Sequence, residues 1–186
     1  MKLIPTFIPG CHEIAPKIVN DIRGSFVKTF HENWFKDNNL ESSFKEQYFS
    51  VSKKNVLRGL HFQAPPHDHV KLVYCVHGEI FDVVLDIRKG SPTYGHHHIF
   101  YLDSVKSNIA YIPRGFAHGF YVKSEFATVV YNVSSVYNAS YDKGIHWDSA
   151  NILWPKGSPI ISERDENFMA FEKSEDYFLY TNENTL

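Results

Sequence analysis

The chain has 186 residues, enough for a domain that buries a hydrophobic core without help from metals or disulfides. Its formal net charge of −2 argues against nucleic acid or an anionic membrane as the main partner. No apolar run is long enough for a signal peptide or a bilayer span, and Cys11 and Cys75 lie far apart. These features predict a cytoplasmic protein with two free thiols.

The first part of the chain alternates short apolar runs with proline and glycine. This pattern predicts two or three short strands joined by turns within residues 1–30. A modest helix is expected between His31 and Leu40, with Trp34 and Phe35 facing inward.

From Phe44 to about Val133 the pattern becomes strand, turn, strand. Aromatic residues, which pack well on pleated surfaces, make up 16% of the chain. Strands such as 72–76 and 80–85 are apolar on both faces, so they need a second sheet on one side and a partner on the other. We predict a single all-β domain over 1–186, a double-sheet jelly roll with short peripheral helices that dimerises through one sheet. Its core lies at about 44–133, with the N-terminal strands and a partly helical C-terminal segment packed on it.

The segment 56–63 carries the most informative side chains. It places Arg58 and His61 in a stretch that otherwise has the composition of buried core, and Lys71 follows ten residues after His61. Buried cations are costly unless an anionic group or a ligand meets them, so these residues are candidates for a binding site. Strict alternation puts Arg58 and His61 on opposite faces, and we interpret Gly59 as a bulge that re-aims one of them.

Three other residues are chemical candidates, each with an ordinary structural explanation. His118 follows a turn and is equally well a hydrogen-bonded turn histidine. Tyr131 points into the predicted core, where a structural tyrosine with a partnered hydroxyl is common. Asp165 ends the capping-box sequence at 162–165 and is equally well a carboxylate at a helix start.

A metal site also has to be considered, because His67 and His69 form the two-histidine element of many jelly-roll metalloproteins. The carboxylate expected a few residues later is missing, since residues 72–75 are Leu, Val, Tyr and Cys. We therefore predict that no metal binds. The run of three histidines at 96–98 is expected on a solvated strand or turn.

At these residues the chain resembles the dTDP-4-dehydrorhamnose 3,5-epimerases, cupin-type enzymes of nucleotide-sugar biosynthesis. Matching segments run over nearly the whole chain in the family's order and spacing. They are residues 21–26, 56–63, 71–73, 78–83, 86–93, 112–120, 144–148 and 162–165.

The resemblance implies a homodimeric epimerase that uses neither metal nor cofactor and acts on a nucleotide-linked 4-keto-6-deoxy sugar. By position, His61 matches the base, Asp165 its carboxylate partner, Tyr131 the acid on the opposite face of the sugar, and Lys71 the residue beside the C4 oxygen. The resemblance also implies the residues that line the nucleotide-sugar site. They are Arg23 (from the neighbouring subunit), Phe26, Gln47, Arg58, His118 and Tyr137, the last of which would stack on the base.

One segment departs from the family. Many members carry Gln-Asp-Asn-His where residues 46–49 of this chain are Glu-Gln-Tyr-Phe. Two hydrogen-bonding side chains are thus replaced by aromatic ones, which changes the shape and polarity of the expected pocket.

The function predicted from the sequence is 3,5-epimerisation of dTDP-4-dehydro-6-deoxyglucose. Three alternatives stay open at this point. The enzyme could invert only C3 or C5, or act on a GDP- or CDP-linked sugar. The protein could also be a non-catalytic sugar-binding cupin in which Arg23, Arg58 and Lys71 only hold phosphates. A metal-dependent cupin oxygenase or isomerase is disfavoured by the missing carboxylate.

Overall fold

The computed structural model describes residues 1–181, which are almost entirely β-strand, turn and loop. The strands are β1 (Lys2–Pro5), β2 (His12–Ala15), β3 (Ile18–Asp21), β4 (Gly24–Val27), β5 (Glu46–Lys53), β6 (Leu57–Gln63), β7 (Lys71–His77), β8 (Glu79–Asp86), β9 (Arg88–Lys89), β10 (His97–Asp103), β11 (Ile109–Ile112), β12 (Phe116–Val122), β13 (Phe126–Val133), β14 (Asp142–Gly144) and β15 (Phe178–Leu179). Two short helices, α1 (Glu32–Asp37) and α2 (Glu163–Glu166), and a 3₁₀ turn at Phe171–Lys173 accompany them. Within residues 1–181, no helix has the length and apolar character needed to cross a membrane.

Two antiparallel sheets make up most of the molecule. The first has six strands in the order β1-β2-β11-β7-β13-β5, and the second has five in the order β10-β8-β12-β6-β14. The hairpin β3–β4 forms a two-stranded sheet of its own, and β9 pairs in parallel with β15. The prediction of an all-β double-sheet jelly roll with short helices is confirmed. The single domain over 1–186 stays a prediction, and residues 182–186 lie outside the described part of the chain.

The main core lies between the two sheets. It combines residues of β7 and β13 in the first sheet with residues of β8, β10 and β12 in the second. Its buried side chains include Val73, Val129, Val84, Phe100 and Phe120.

The outer faces of the apolar strands are covered by the same chain. On β8, Phe81 and Leu85 pack in a cluster with Trp154 and Phe178 of the C-terminal segment. The outer face of β7 packs against the N-terminal part of the chain, where Phe35 of α1 is fully buried. Apolar residues on both faces of these strands therefore do not require a partner subunit, because other segments of the same chain cover them. Dimerisation through one sheet stays a prediction.

The peripheral elements differ in detail from the sequence-based expectation. The N-terminal part forms four short strands, not two or three. Helix α1 is shorter than the range His31–Leu40, because His31 caps its start and Asn38 its end. Up to residue 181 the C-terminal segment is mostly irregular, and its helical residues are the four of α2 and the 3₁₀ turn.

A bulge in β6 sets the direction of the site residues. Arg58 and His61 each pair with β12, but the two residues between them, 59–60, face only Gly119. Gly59 has a φ of +133°, and a Cβ atom at this position would lie 2.5 Å from the Cα atom of Gly119. Only glycine fits this backbone comfortably. The extra residue brings Arg58 and His61 to the same cavity, as the bulge interpretation predicted.

Candidate active site

A cavity of about 360 Å³ opens between the two sheets. Its size falls in the range of small-molecule sites. Both sheets and two C-terminal segments contribute to its wall. The lining residues are Glu46, Tyr48, Ser50, Arg58, His61, Phe62, Gln63, His69, Lys71, His118, Phe120, Tyr131, Val133, Tyr137, Asp142 and Arg164.

His61 lines the cavity and forms a hydrogen-bonded pair with the buried carboxylate of Asp165. His61 Nε2 lies 2.9 Å from Asp165 Oδ1, and Asp165 Oδ2 accepts a hydrogen bond of 3.0 Å from the backbone N–H of Gly59. Burial lowers the pKa of His61 below its ordinary value, although the contact with Asp165 acts in the opposite direction. Burial raises the pKa of Asp165, but hydrogen bonds from His61 and Gly59 outweigh it and leave the pKa below its ordinary value. The pair is thus a neutral imidazole beside a carboxylate at neutral pH.

Helix α2 explains how Asp165 reaches His61. Ser162 caps the helix, and its side-chain oxygen accepts a hydrogen bond of 3.2 Å from the backbone N–H of Asp165. In a full capping box the carboxylate three residues on would bond back to the backbone N–H of the cap residue. Here the carboxylate is instead directed to His61 and Gly59, so only half of the predicted capping box forms.

Lys71 is a buried ammonium at the start of β7. Its Nζ donates a hydrogen bond of 3.0 Å to the backbone carbonyl of His61, which ties the first sheet to the second. Burial lowers the pKa of Lys71 to about 8, while Asp142 and Asp82 act to raise it. Because the protein compensates the positive charge of Lys71 only weakly, its ammonium can interact with an electron-rich atom of a ligand.

Tyr131 and Tyr48 face the cavity from the first sheet. They are directly paired residues of β13 and β5, and their rings are stacked with centroids 4.7 Å apart and an angle of 18° between the planes. Tyr131 is only 7% exposed, and burial raises its pKa well above the ordinary value. The phenol is therefore protonated throughout the physiological pH range.

Two further predicted residues also line the cavity. Arg58 donates a hydrogen bond of 2.9 Å from Nε to the hydroxyl of Ser52, which leaves the rest of its guanidinium for other partners. His118 is buried on β12, and its Nε2 lies 2.7 Å from Asp82 Oδ2.

Tyr137 lies at the rim of the cavity. Its backbone N–H donates to Glu46 Oε2 over 2.8 Å, and its hydroxyl donates to Asp142 Oδ2 over 3.2 Å. The ring itself is largely exposed.

Three predicted site residues lie elsewhere in the monomer. Arg23 and Phe26 belong to the exposed hairpin β3–β4, where Arg23 pairs with Asp21. Gln47 points away from the cavity and donates to Asn132 Oδ1 over 2.6 Å.

Several residues of the wall were not predicted as site residues. Along β5, Glu46, Tyr48 and Ser50 face the cavity while Gln47 faces outward. Alternation along this strand would have identified them, had its register been known. Arg164, next to Asp165, also lines the cavity and donates 2.8 Å from Nη1 to Asp142 Oδ2.

The histidines of the 67–69 segment have partners other than a metal ligand set. His69 Nδ1 lies 3.2 Å from the Ser135 hydroxyl, and His67 Nε2 lies 3.1 Å from the Asn138 amide nitrogen. Throughout residues 1–181, no three His, Cys, Asp or Glu side chains are grouped as a metal site requires.

Comparison with known proteins decides the family. The family model for dTDP-4-dehydrorhamnose 3,5-epimerase matches residues 5–173. The chain belongs to this epimerase family. The resemblance drawn from the sequence motifs is confirmed, and the protein is a carbohydrate epimerase, an isomerase.

Individual members of the epimerase family show how close the relation is. A dTDP-4-dehydrorhamnose 3,5-epimerase of Shigella flexneri is 41% identical over 182 residues, which is 96% of this chain and all of the relative. A dTDP-4-dehydrorhamnose 3-epimerase of Streptomyces niveus is 36% identical over 95% of this chain and 86% of the relative. The crystal structure of the 3,5-epimerase of Legionella pneumophila in complex with dTDP-4-keto-L-rhamnose superposes with a TM-score of 0.93, at 34% identity, over 97% of this chain and 98% of that one.

Proposed function

We propose that the protein epimerises a dTDP-linked 4-keto-6-deoxy sugar, most directly dTDP-4-dehydro-6-deoxyglucose, at C3 and C5. One observation carries this proposal. A histidine that is hydrogen-bonded to a carboxylate, a buried ammonium and a protonated phenol line a single cavity from two opposing sheets; the carboxylate, Asp165, reaches the site through the histidine. These are the groups that are needed to remove a proton, hold an enolate and return a proton to the other face.

The substrate ketone makes the chemistry accessible. The C4 carbonyl acidifies the C–H bonds at C3 and C5, so His61 can take the proton as a neutral base while the electron pair moves onto the C4 oxygen. Asp165 holds the imidazole in place through Nε2 and stabilises the imidazolium that forms. The other ring nitrogen, Nδ1, is then the atom that accepts the proton from the sugar carbon. A positioned base of this kind contributes about 10²–10⁴-fold to the rate.

Lys71 is the group that stabilises the enolate. A developing negative charge on the C4 oxygen would compensate an ammonium that burial otherwise disfavours. One well-aimed donor of this kind contributes about 10²–10³-fold. Its bond to the His61 carbonyl fixes the cation beside the strand that carries the base.

Tyr131 is the acid that completes inversion. It belongs to the first sheet and His61 to the second, so a sugar ring between the sheets presents one face to each. Because burial raises its pKa, the phenol retains its proton until the enolate takes it.

Binding of the nucleotide diphosphate falls to the positive and aromatic residues of the wall and rim. Arg58, His118 and Arg164 supply positive or donor groups, and the exposed ring of Tyr137 is available for stacking on the base. The buried atom His69 Nε2 has no hydrogen-bond partner within the described residues, and a polar ligand would provide one.

Arg23 and Phe26 complete the site of a neighbouring subunit in a homodimer. Their hairpin pairs with no other strand of the described chain, and it exposes Ile22 fully and much of Phe26. Exposed apolar groups of this kind indicate a protein interface. The edge strand β5 adds Phe49, which is 67% exposed on the outward face. Gln47 then lies at this interface and does not contact the sugar. The enzyme acts in the cytoplasm.

The test follows solvent deuterium. The enzyme is incubated in heavy water with dTDP-4-keto-6-deoxyglucose, and with its GDP and CDP counterparts, while NMR records label and configuration at C3 and C5. We expect label at inverted carbons with the dTDP sugar, and His61→Asn should slow exchange by about 10²–10⁴-fold.

His97→Asn is the matched control, because His97 lies on β10 and does not line the cavity. Exchange at the wild-type rate in His61→Asn would remove the base assignment. Binding of the sugar without any exchange by the wild type would favour the non-catalytic alternative. Elemental analysis and activity in a chelator test the metal-dependent alternative, and label at one carbon only would indicate a mono-epimerase.

A further inference from the structure

Tyr48 is in direct contact with the proposed acid. It lies opposite Tyr131 in the register of β5 and β13, and the two rings stack at 4.7 Å. The imidazole of His118 contacts the same Tyr131 ring edge-on, with centroids 6.1 Å apart and planes at 74°. The Tyr131 ring therefore has an aromatic neighbour on its face as well as one at an angle to it.

Tyr48 is also part of the cavity wall. It is 42% exposed and faces the same space as Arg58 and His61. Burial and the nearby carboxylates Glu46 and Asp142 raise its pKa to about 12. Both stacked phenols are thus neutral at working pH, and charge repulsion does not disturb the stack.

We propose that Tyr48 is a positioning residue for reprotonation: its stacked ring fixes the orientation of the Tyr131 ring and so sets how often the enolate is protonated on the face opposite His61. The inference rests on the proposed function, because it needs Tyr131 to be the acid. It assigns a role to a side chain that replaces a hydrogen-bonding residue of many family members.

The enolate can be protonated in two ways, and each restores the protonation state of the enzyme. Return of a proton from the His61 imidazolium restores the original configuration; in heavy water this gives exchange without inversion once the imidazolium N–H has exchanged with solvent deuterium. Alternatively, the Tyr131 O–H bond breaks as the new C–H bond forms on the opposite face; the phenolate then regains a proton from water and His61 releases its own. The ratio of inversion to exchange at a carbon therefore measures how well Tyr131 competes.

Proton transfer of this kind depends strongly on placement. The reacting atoms have to be about 3–3.5 Å apart and aligned, and a displacement of about 1 Å is enough to cost a large factor in rate. Without the flat ring of Tyr48, the Tyr131 ring gains freedom to turn within the cavity. Inversion should then fall while proton removal by His61 continues.

The experiment compares Tyr48→Ala and Tyr48→Phe with wild type on dTDP-4-keto-6-deoxyglucose in heavy water. NMR gives the inversion-to-exchange ratio at each carbon that exchanges. We expect Tyr48→Ala to lower the ratio at least about threefold while exchange stays within about twofold of wild type, and Tyr48→Phe to keep the ratio. Tyr131→Phe sets the lower limit of the ratio, and Tyr101→Ala, an exposed tyrosine on β10, is the control.

Several outcomes would overturn the inference. An unchanged ratio in Tyr48→Ala shows that the stack does not position the acid. An equal loss of exchange and inversion shows a general structural effect, and an equal defect in Tyr48→Phe shows that the hydroxyl acts and not the ring. If Tyr48→Ala does not fold, as judged by circular dichroism, Tyr48→Leu retains bulk without a flat ring and takes its place. Absence of exchange by wild type on any of the nucleotide sugars would reject the proposed function, and this inference with it.

Discussion

At the scale of single residues, burial divides the roles among the ionisable groups. It lowers the pKa of His61 and of Lys71, and raises that of Tyr131. The same cavity thereby holds a neutral base, an ammonium that loses its proton at about pH 8 and a phenol that keeps its proton. Matching of pKa to task by environment is a general property of acid–base sites.

These directions predict the pH profile of kcat/KM, which reports the free enzyme. Activity requires neutral His61, so on the acid side it should fall only below the ordinary histidine value of 6.5, where the imidazole takes up a proton. Activity also requires charged Lys71, so it should fall as pH rises through about 8. Tyr131 adds no limb in this range, because its pKa is higher still.

Lys71→Arg identifies the alkaline limb. Arginine remains charged far above pH 8, so a variant that retains activity should lose the limb near 8, even at a lower overall rate. An alkaline limb unchanged by this substitution would show that another group titrates there.

The residues of the site were predictable to different degrees. His61, Lys71 and Tyr131 stand out in the sequence because polar groups in apolar strands need a partner, and they do share one cavity. The place of Tyr48 depended on the register of β5, which the local pattern did not give. Asp165 was a candidate as a carboxylate at a helix start, but its pairing with His61, 104 positions away, was available only through the family motif.

At the scale of elements, the bulge in β6 is the feature that aligns the site. The alternation of side chains predicted both the need for it and its place at Gly59. The pattern did not predict that the backbone N–H of Gly59 would bond Asp165. The peripheral segments were less predictable, because short strands and irregular loops depend on tertiary packing more than on periodicity.

Gly59→Ala tests the bulge. The φ of +133° disfavours any side chain, and the new Cβ would meet the backbone of Gly119 at 2.5 Å. Strain of this backbone alone costs on the order of 1–3 kcal/mol, and the steric contact adds to it. We expect a clear loss in the free energy of unfolding measured by urea, together with reduced activity.

Gly90→Ala is the matched control. Gly90 also has a positive φ, of +87°, but a Cβ there would have nothing within 4 Å. It should lower the free energy of unfolding only by the backbone cost, about 1 kcal/mol. Equal destabilisation by the two substitutions would mean that close approach to β12 does not matter.

At the scale of the whole molecule, the chain covers most of its own sheet faces but leaves the β3–β4 hairpin and the outer side of β5 exposed. The sequence predicted a dimer because some of its strands are apolar on both faces. In the structure, other segments of the same chain cover those faces. The exposed hairpin gives the proposed homodimer a different physical basis, namely apolar groups that a single copy leaves in water.

Mixed dimers test whether Arg23 serves the neighbouring cavity. Arg23→Ala and His61→Asn should each be nearly inactive as homodimers. Co-expressed, they should form hybrids in which one site carries both substitutions and the other carries neither, so that about a quarter of all sites are intact after random pairing. Activity no higher than the mean of the two parents would place Arg23 at the site of its own chain or outside catalysis.

The bond between His61 and Asp165 spans most of the polypeptide in sequence. The strands of both sheets precede Asp165 in the chain, because the last of them, β14, ends at Gly144. A chain that stops between these two positions would have the strands that form the cavity but would lack the carboxylate that orients the His61 imidazole. We expect such a chain to turn over its sugar far more slowly than a chain that includes Asp165.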